Sequence, residues 1–224
     1  MGEKKIVANV GEFDQAHLRR DYVRVVLLMQ DVEGSADRFD ELIKSEKMAE
    51  ALRELKIGFL AYYLIADSKS ALCLYGKGDE KVAELWRELS VRVEFLNRIR
   101  NLISGHLDER VLDKLVHWAP DIFSKKIVGT DAQLVLVNKY LLDVGLSVCA
   151  ASDKSKREFL KHNVDLTYPP DYEDFLEFMR TSFALAMEYL SEIKSKILSR
   201  LKLYESDEEV FSQMKSAAAV DFKL

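Results

Sequence analysis

Apolar residues recur along most of this chain at steps of three and four, the spacing that lines one face of an α-helix. The first stripe is Leu18, Tyr22, Val25, Val26 and Met29, with Asp14 placed to cap it. Residues 1–13 carry no such pattern and read as an arm. Gly34-Ser35 is expected to end the first helix and start another, with Phe39, Leu42 and Ile43 facing inward. A longer stripe opens near Ser45 and runs through Met48, Leu52, Leu55, Phe59, Tyr62, Tyr63 and Ala66. Gly58 lies inside it, at a cost of about 1 kcal/mol relative to alanine. It points to a close helix contact or to a joint.

Gly76-Lys77-Gly78 is a clear break, after which Asp79 is a plausible cap and Glu80 suits the positive end of a helix dipole. Val82, Leu85, Trp86, Leu89, Val93, Leu96, Ile99 and Ile103 then form the cleanest stripe, closed by Gly105. Asp108 can cap a short successor carrying Val111, Leu112, Leu115 and Val116, which Pro120 stops. Residues 119–130 read as a connection. Thr130 or Asp131 opens an apolar helix through Leu134, Val137, Leu141, Val144 and Val148, and residues 152–163 read as a charged surface helix. Tyr168-Pro169-Pro170 must be extended or turning. From Asp171 to Tyr204 the pattern predicts a helix of about 33 residues, roughly 50 Å long, with acids in its first turns and bases in its last. The last 20 residues read as a tail or a weak helix. No stretch alternates convincingly enough to predict a strand. The expectation is an all-α helical bundle forming a single domain over 1–224.

Composition agrees with that picture. Three prolines and nine glycines in 224 residues favour long helices, and 48% hydrophobic content can build a substantial core. The net charge of -5 argues against broad nonspecific binding to nucleic acid, though not against a local basic site. Cys73 and Cys149 sit in apolar runs without metal or redox spacing and read as buried free thiols. Met1-Gly2-Glu3-Lys4-Lys5 leads into no sustained apolar run, so no signal peptide is expected. Leu134 to Ala151 is interrupted by Asn138, Lys139 and Asp143, so it reads as a core helix and not a membrane span. A cytoplasmic location away from membranes is expected. The four histidines show no paired ligand spacing, no Glu-x-x-His helix signature is present, and Gly76-Lys77-Gly78 lacks phosphate-loop spacing. No metal and no cofactor is expected.

Candidate chemistry concentrates at Arg98-Ile99-Arg100-Asn101-Leu102-Ile103-Ser104-Gly105-His106-Leu107-Asp108. Cleaving RNA without a metal requires the ribose 2′-hydroxyl to lose its proton and the growing phosphate charge to be offset. Neutral histidine suits the first task, and the planar, permanently charged fork of arginine suits the second. A neighbouring amide can orient the phosphate or the ring. Well-placed donors of this kind are worth about 3–4 kcal/mol each. On an unbroken helix Arg100 and His106 would stand roughly 120° apart. A break at Gly105, or a second copy across a two-fold axis, would be needed to gather them.

The arginine–asparagine pair followed by four residues and histidine resembles the signature of the HEPN superfamily. The trailing Leu107-Asp108 is similar to the His-x-Asp of some members. The resemblance implies a HEPN-like helical core over about 14–150, with the long helix 171–204 added to it. It also implies a homodimer with paired motifs at the interface and metal-independent endoribonuclease activity. Many such proteins act as toxins or in antiviral defence beside an antitoxin or regulatory protein. Carried onto this chain, the catalytic set is Arg100, Asn101 and His106, with RNA as the partner.

A plainer reading stands beside it. Cations near a helix C-terminus are stabilising by about 0.3–1 kcal/mol, and Asp108 is a natural cap. On that reading the chain is a noncatalytic helical interaction or scaffold protein. His17 and His162 lie among charges and read as surface residues, and His117 beside Trp118 as a packing or helix-end residue. The basic cluster between Lys154 and Lys161 reads as a solvated face that could also hold an RNA backbone.

Overall fold

The computed structural model of the protein describes residues 15–105, 108–152, 165–166 and 168–218. Every regular element among them is a helix: α1 (Gln15–Lys44), α2 (Met48–Asp67), the short α3 (Lys69–Leu72), α4 (Glu80–Arg100), α5 (Glu109–Trp118), α6 (Asp131–Ser152), α7 (Pro169–Leu198) and α8 (Asp207–Ala218). The all-α expectation holds. The arm over 1–13, the cap at Asp14 and the charged stretch around 153–163 lie outside the described residues.

α1 runs unbroken through Gly34-Ser35, where the sequence predicted two helices. Its inward stripe carries across the pair, because Ser35 is buried in line with Val32 and Phe39. A Cβ added at Gly34 would meet nothing within 4 Å. The glycine therefore weakens the helix without any packing conflict to break it, and tertiary burial overrides propensity. The stop comes later, at Glu46, whose φ is 58°. Gly58 resolves as a close contact and not a joint. A Cβ there would lie 3.1 Å from Cζ of Phe183.

α1 packs on α2 and α7, which both flank α4, while α6 lies against α2 and α4 and carries α5 on its other side. Phe39, Phe59, Tyr62, Leu96, Phe175 and Ile193 are among the buried residues of the shared core. Several polar bridges join α4 to α7, Lys81 with Glu192 among them. Arg92 Nη1 donates to Thr181 Oγ1 at 2.8 Å and to Ser182 Oγ at 3.0 Å. Its guanidinium stands 5.4 Å from the Phe178 ring centre.

The long helix is displaced from its predicted span. α7 starts at Pro169, with Tyr168 extended before it, because proline fits the first helical turn, where its missing N–H is not needed. It ends at Leu198 and does not continue to Tyr204. The chain instead turns back along the start of α1. Gln15 Nε2 donates to the Arg200 carbonyl at 3.2 Å, and Gln15 Oε1 accepts from the Lys202 N–H at 2.9 Å. The Arg19 guanidinium lies 4.4 Å from the Tyr204 ring centre. These contacts make a strap of residues 199–206, after which α8 begins.

α6 is only partly the core helix the sequence predicted. Its second half is buried at Leu141, Leu142, Val144 and Leu146, but Leu134 is 55% exposed. By length and composition alone, Asp131–Cys149 is apolar enough to cross a membrane, with mean hydropathy 1.3 and 39% of the window buried. Part of the apolar character of α5 also faces outward. Val111 and Leu115 are buried, whereas Leu112 and Val116 are exposed.

Candidate functional site

α4 is held at both ends. At its start the Asp79 carboxylate accepts from the Val82 N–H at 3.1 Å and pairs with Lys196 of α7. At its end the helix widens into a π-helical turn over Asn101–Gly105. Such turns shift the phase of the side chains that follow and recur at functional sites. The turn is seated on α6. Ile103 is 1% exposed, and a Cβ added at Gly145 would come within 2.7 Å of its Cγ2. Glycine at 145 leaves the room that the Ile103 side chain occupies.

The chain is described again at Asp108, whose N–H donates to the Leu102 carbonyl at 3.1 Å. Asp108 caps α5 as the sequence predicted, accepting from the Arg110 N–H at 2.9 Å. It also takes the Arg110 side chain as a fork, from Nε at 2.9 Å and Nη2 at 2.6 Å. These bonds, the Arg110 side chain foremost, pull the Asp108 carboxyl down to a pKa of about 2. It is therefore a fixed anion and not a proton carrier near neutrality.

Arg100 lies between two helices. Its guanidinium stands 4.3 Å from the Tyr63 ring centre on α2, and its Nη1 donates to Asn101 Oδ1 at 3.0 Å. Asn101 is exposed and lines a cavity of about 430 Å³ between the π-helical turn, α5 and α6. The other walls are Arg98, Leu102, Asp108, Arg110, Val148 and Cys149. Asp108 offsets the Arg110 charge, so Arg98 and the Asn101 amide are the groups that suit an anion with several oxygens.

Of the predicted catalytic set, Arg100 and Asn101 are brought together. Arg100 does not line the cavity and meets it through Asn101. His106 lies outside the described residues, as does His162. His17 and His117 are exposed, in keeping with the surface reading of the first. Neither cysteine is in a disulfide, Cys149 being buried and Cys73 half-buried. Among the described residues no group of histidine, cysteine and carboxylate side chains could hold a metal ion. Sequence reasoning passed over Arg98 and Arg110 as site residues. Arg98 stands three positions before Asn101, on the same helix face, so helical spacing pointed to it. Val148 and Cys149 reach the cavity only through tertiary packing of α6.

A second polar locus sits farther along α6. Asp143 is 7% exposed and accepts from the Leu166 N–H at 2.7 Å. Burial pushes its carboxyl up to a pKa of about 6. The Leu166 bond and Lys139 oppose that rise, while Asp165 and Asp171 reinforce it. Asp165 is itself tied down, its N–H donating to Asp171 Oδ2 at 2.9 Å.

No protein-family model matches this chain, and no match is found among the curated proteins or the solved structures.

Proposed function

We propose that this protein is a metal-independent endoribonuclease of HEPN type, acting as a homodimer. The observation that carries the reading is the Arg100–Asn101 pair, whose Asn101 lines the cavity together with Arg98 and Arg110. The stacking of Arg100 on Tyr63 and its bond to the Asn101 carbonyl oxygen fix the pair in place. With Oδ1 occupied by Arg100, the Asn101 amide nitrogen is the end left to orient a phosphate oxygen. Arg98 joins Arg100 in offsetting charge as the phosphorane forms, while Asp108 holds Arg110.

His106 completes the chemistry in this proposal. As a neutral imidazole it removes the proton of the ribose 2′-hydroxyl, whose oxygen attacks the adjacent phosphorus. The bond to the 5′-oxygen breaks, and that oxygen takes up a proton as it leaves. The products are a 2′,3′-cyclic phosphate and a 5′-hydroxyl end. Toxin or defence roles, opposed by an antitoxin or regulatory protein, belong to the same proposal.

The test uses a long RNA in EDTA, with wild type, His106→Ala and Arg100→Ala compared side by side. Cleavage by wild type alone, leaving cyclic phosphate ends, supports the reading. Equal activity in all three, or none in any, removes it. The exposed apolar face of α8 favours a second reading, a helical interaction protein without catalysis. RNA-independent capture of a protein by variants lacking cleavage would support that one.

A further inference from the structure

Two apolar surfaces on this chain have no cover among the described residues. The first is on α8, where Phe211 is 63% and Met214 61% exposed, with Val210 beside them. No substantial contact between α8 and another helix exists among the described residues. The second runs from α5 into the turn after it. Val116 is 54%, Trp118 53% and Phe123 56% exposed, and Leu112 continues the strip. Single exposed apolar residues are ordinary, but contiguous ones mark contact surfaces.

The two surfaces differ in charge. α8 opens with Asp207, Glu208 and Glu209. Lys114 stands 5.9 Å from the Trp118 ring, and Lys125 and Lys126 are exposed in the turn that follows Phe123. Asp113 and Asp121 also lie on that stretch, so Lys114, Lys125 and Lys126 leave it one positive charge in excess. The balance therefore favours an acidic apolar helix as the occupant.

The surfaces also stand at opposite ends of the bundle. α8 is tethered beside the end of α7, through the strap at Arg200–Tyr204. The α5 surface is tied to the start of α6, where Gln133 Nε2 donates to the Ile122 carbonyl at 3.0 Å. That part of α6 faces the start of α7, since Val135, Leu136 and Lys139 share a pocket with Pro169 and Tyr172. α7 has 30 residues, so its two ends are about 45 Å apart. From Tyr204, three extended residues and the first turn of α8 carry Phe211 roughly 17 Å. The chain cannot cover its own α5 surface with its own α8.

We propose that α8 of one copy docks, through Val210, Phe211 and Met214, on the Leu112–Phe123 surface of a second copy. Because donor and acceptor lie at opposite ends, two antiparallel copies related by a two-fold axis make the contact twice and close the assembly. Each contact is small, and their pairing supplies the avidity. The inference shares the homodimer with the proposed function, but mass reads it out and cleavage reads out the RNA chemistry, so the two failures are distinguishable.

The experiment measures solution mass by light scattering over a concentration series for the full chain, Phe211→Asp, Trp118→Asp, and an equal mixture of the two variants. Both positions are more than half exposed, so circular dichroism should show folded variants. The expected result is a doubled mass for wild type, monomers for each variant alone, and in the mixture a dimer that returns only toward the high-concentration end of the series, since it keeps one of the two contacts. Restoration occurs because one intact α8 can then meet one intact α5 surface. A wild type that stays monomeric overturns the proposal. So does a dimer that survives both substitutions, a loss caused by only one of them, or a mixture that remains monomeric.

Discussion

Arg100 rests on the face of Tyr63, 4.3 Å from the ring centre, so the neighbouring helix α2 fixes the direction of the motif's guanidinium. Such a contact is worth about 0.5–1 kcal/mol at an exposed site. Tyr63→Leu should therefore lower RNA cleavage roughly two- to five-fold, with little change in melting temperature. Tyr63→Phe keeps the aromatic face and should cleave as wild type does. Single-turnover rates for the two variants check this.

Gly145→Ala should act on the same site from α6. Its Cβ would press on Cγ2 of the buried Ile103, which lies on a stiff β-branched side chain and cannot swing aside. Overpacking of this kind costs about 1–3 kcal/mol. Thermal melts should show that loss. Cleavage by the fraction still folded should fall as well, because the turn that carries Asn101 must move. Unchanged stability would mean that the turn is not seated as described.

Two other glycines should respond in opposite ways. Gly34→Ala adds a methyl group in open space on α1 and should stabilise by up to about 1 kcal/mol. Gly58→Val meets Phe183 at the α2–α7 contact and should destabilise by about 1–3 kcal/mol. Urea unfolding of both variants separates these outcomes.

Asp143 gives a pH signature. Its folded pKa of about 6 lies above its ordinary value of 3.8, so folding favours the neutral acid. That contribution is fully present below about pH 4 and is lost as the pH rises through about 6. Asp143→Asn stays neutral at all pH values and keeps an acceptor for the Leu166 N–H. The variant should gain up to about 3 kcal/mol over wild type near pH 7.5 and converge with it below about pH 4. Melting temperatures across that range, with the Lys139, Asp165 and Asp171 surroundings intact, are the measurement.

Much of the architecture was legible as spacing. The stripe from Val82 to Ile103, the caps at Asp79 and Asp108 and the stop at Pro120 are local signals, and local hydrogen bonding enforces them. Two helix bounds were misread for the same reason. Gly34-Ser35 looks like a break only if the burial that continues through Ser35 is ignored. Tyr204 continues the periodicity of α7, but its ring is taken by Arg19 from a helix some 185 positions earlier in the chain. In the candidate site the Arg100–Asn101 pairing is a neighbour effect and could be expected. The stacking on Tyr63 and the wall contributed by Val148 and Cys149 depend on how three helices cross, which no spacing rule encodes. The π-helical turn likewise arises where Ile103 settles against Gly145.

The Gln15 side chain offers its amide to both sides of the strap, giving to Arg200 and receiving from Lys202, much as a neighbouring strand would. Position 15 and position 202 are thereby stitched together across nearly the whole described chain. A rearranged gene that joins these two points by a short linker and opens the chain in the 124–130 turn would break no helix. Such a permutant should fold to the same bundle, and it would free α8 to be moved or removed without disturbing the helices that hold Arg100.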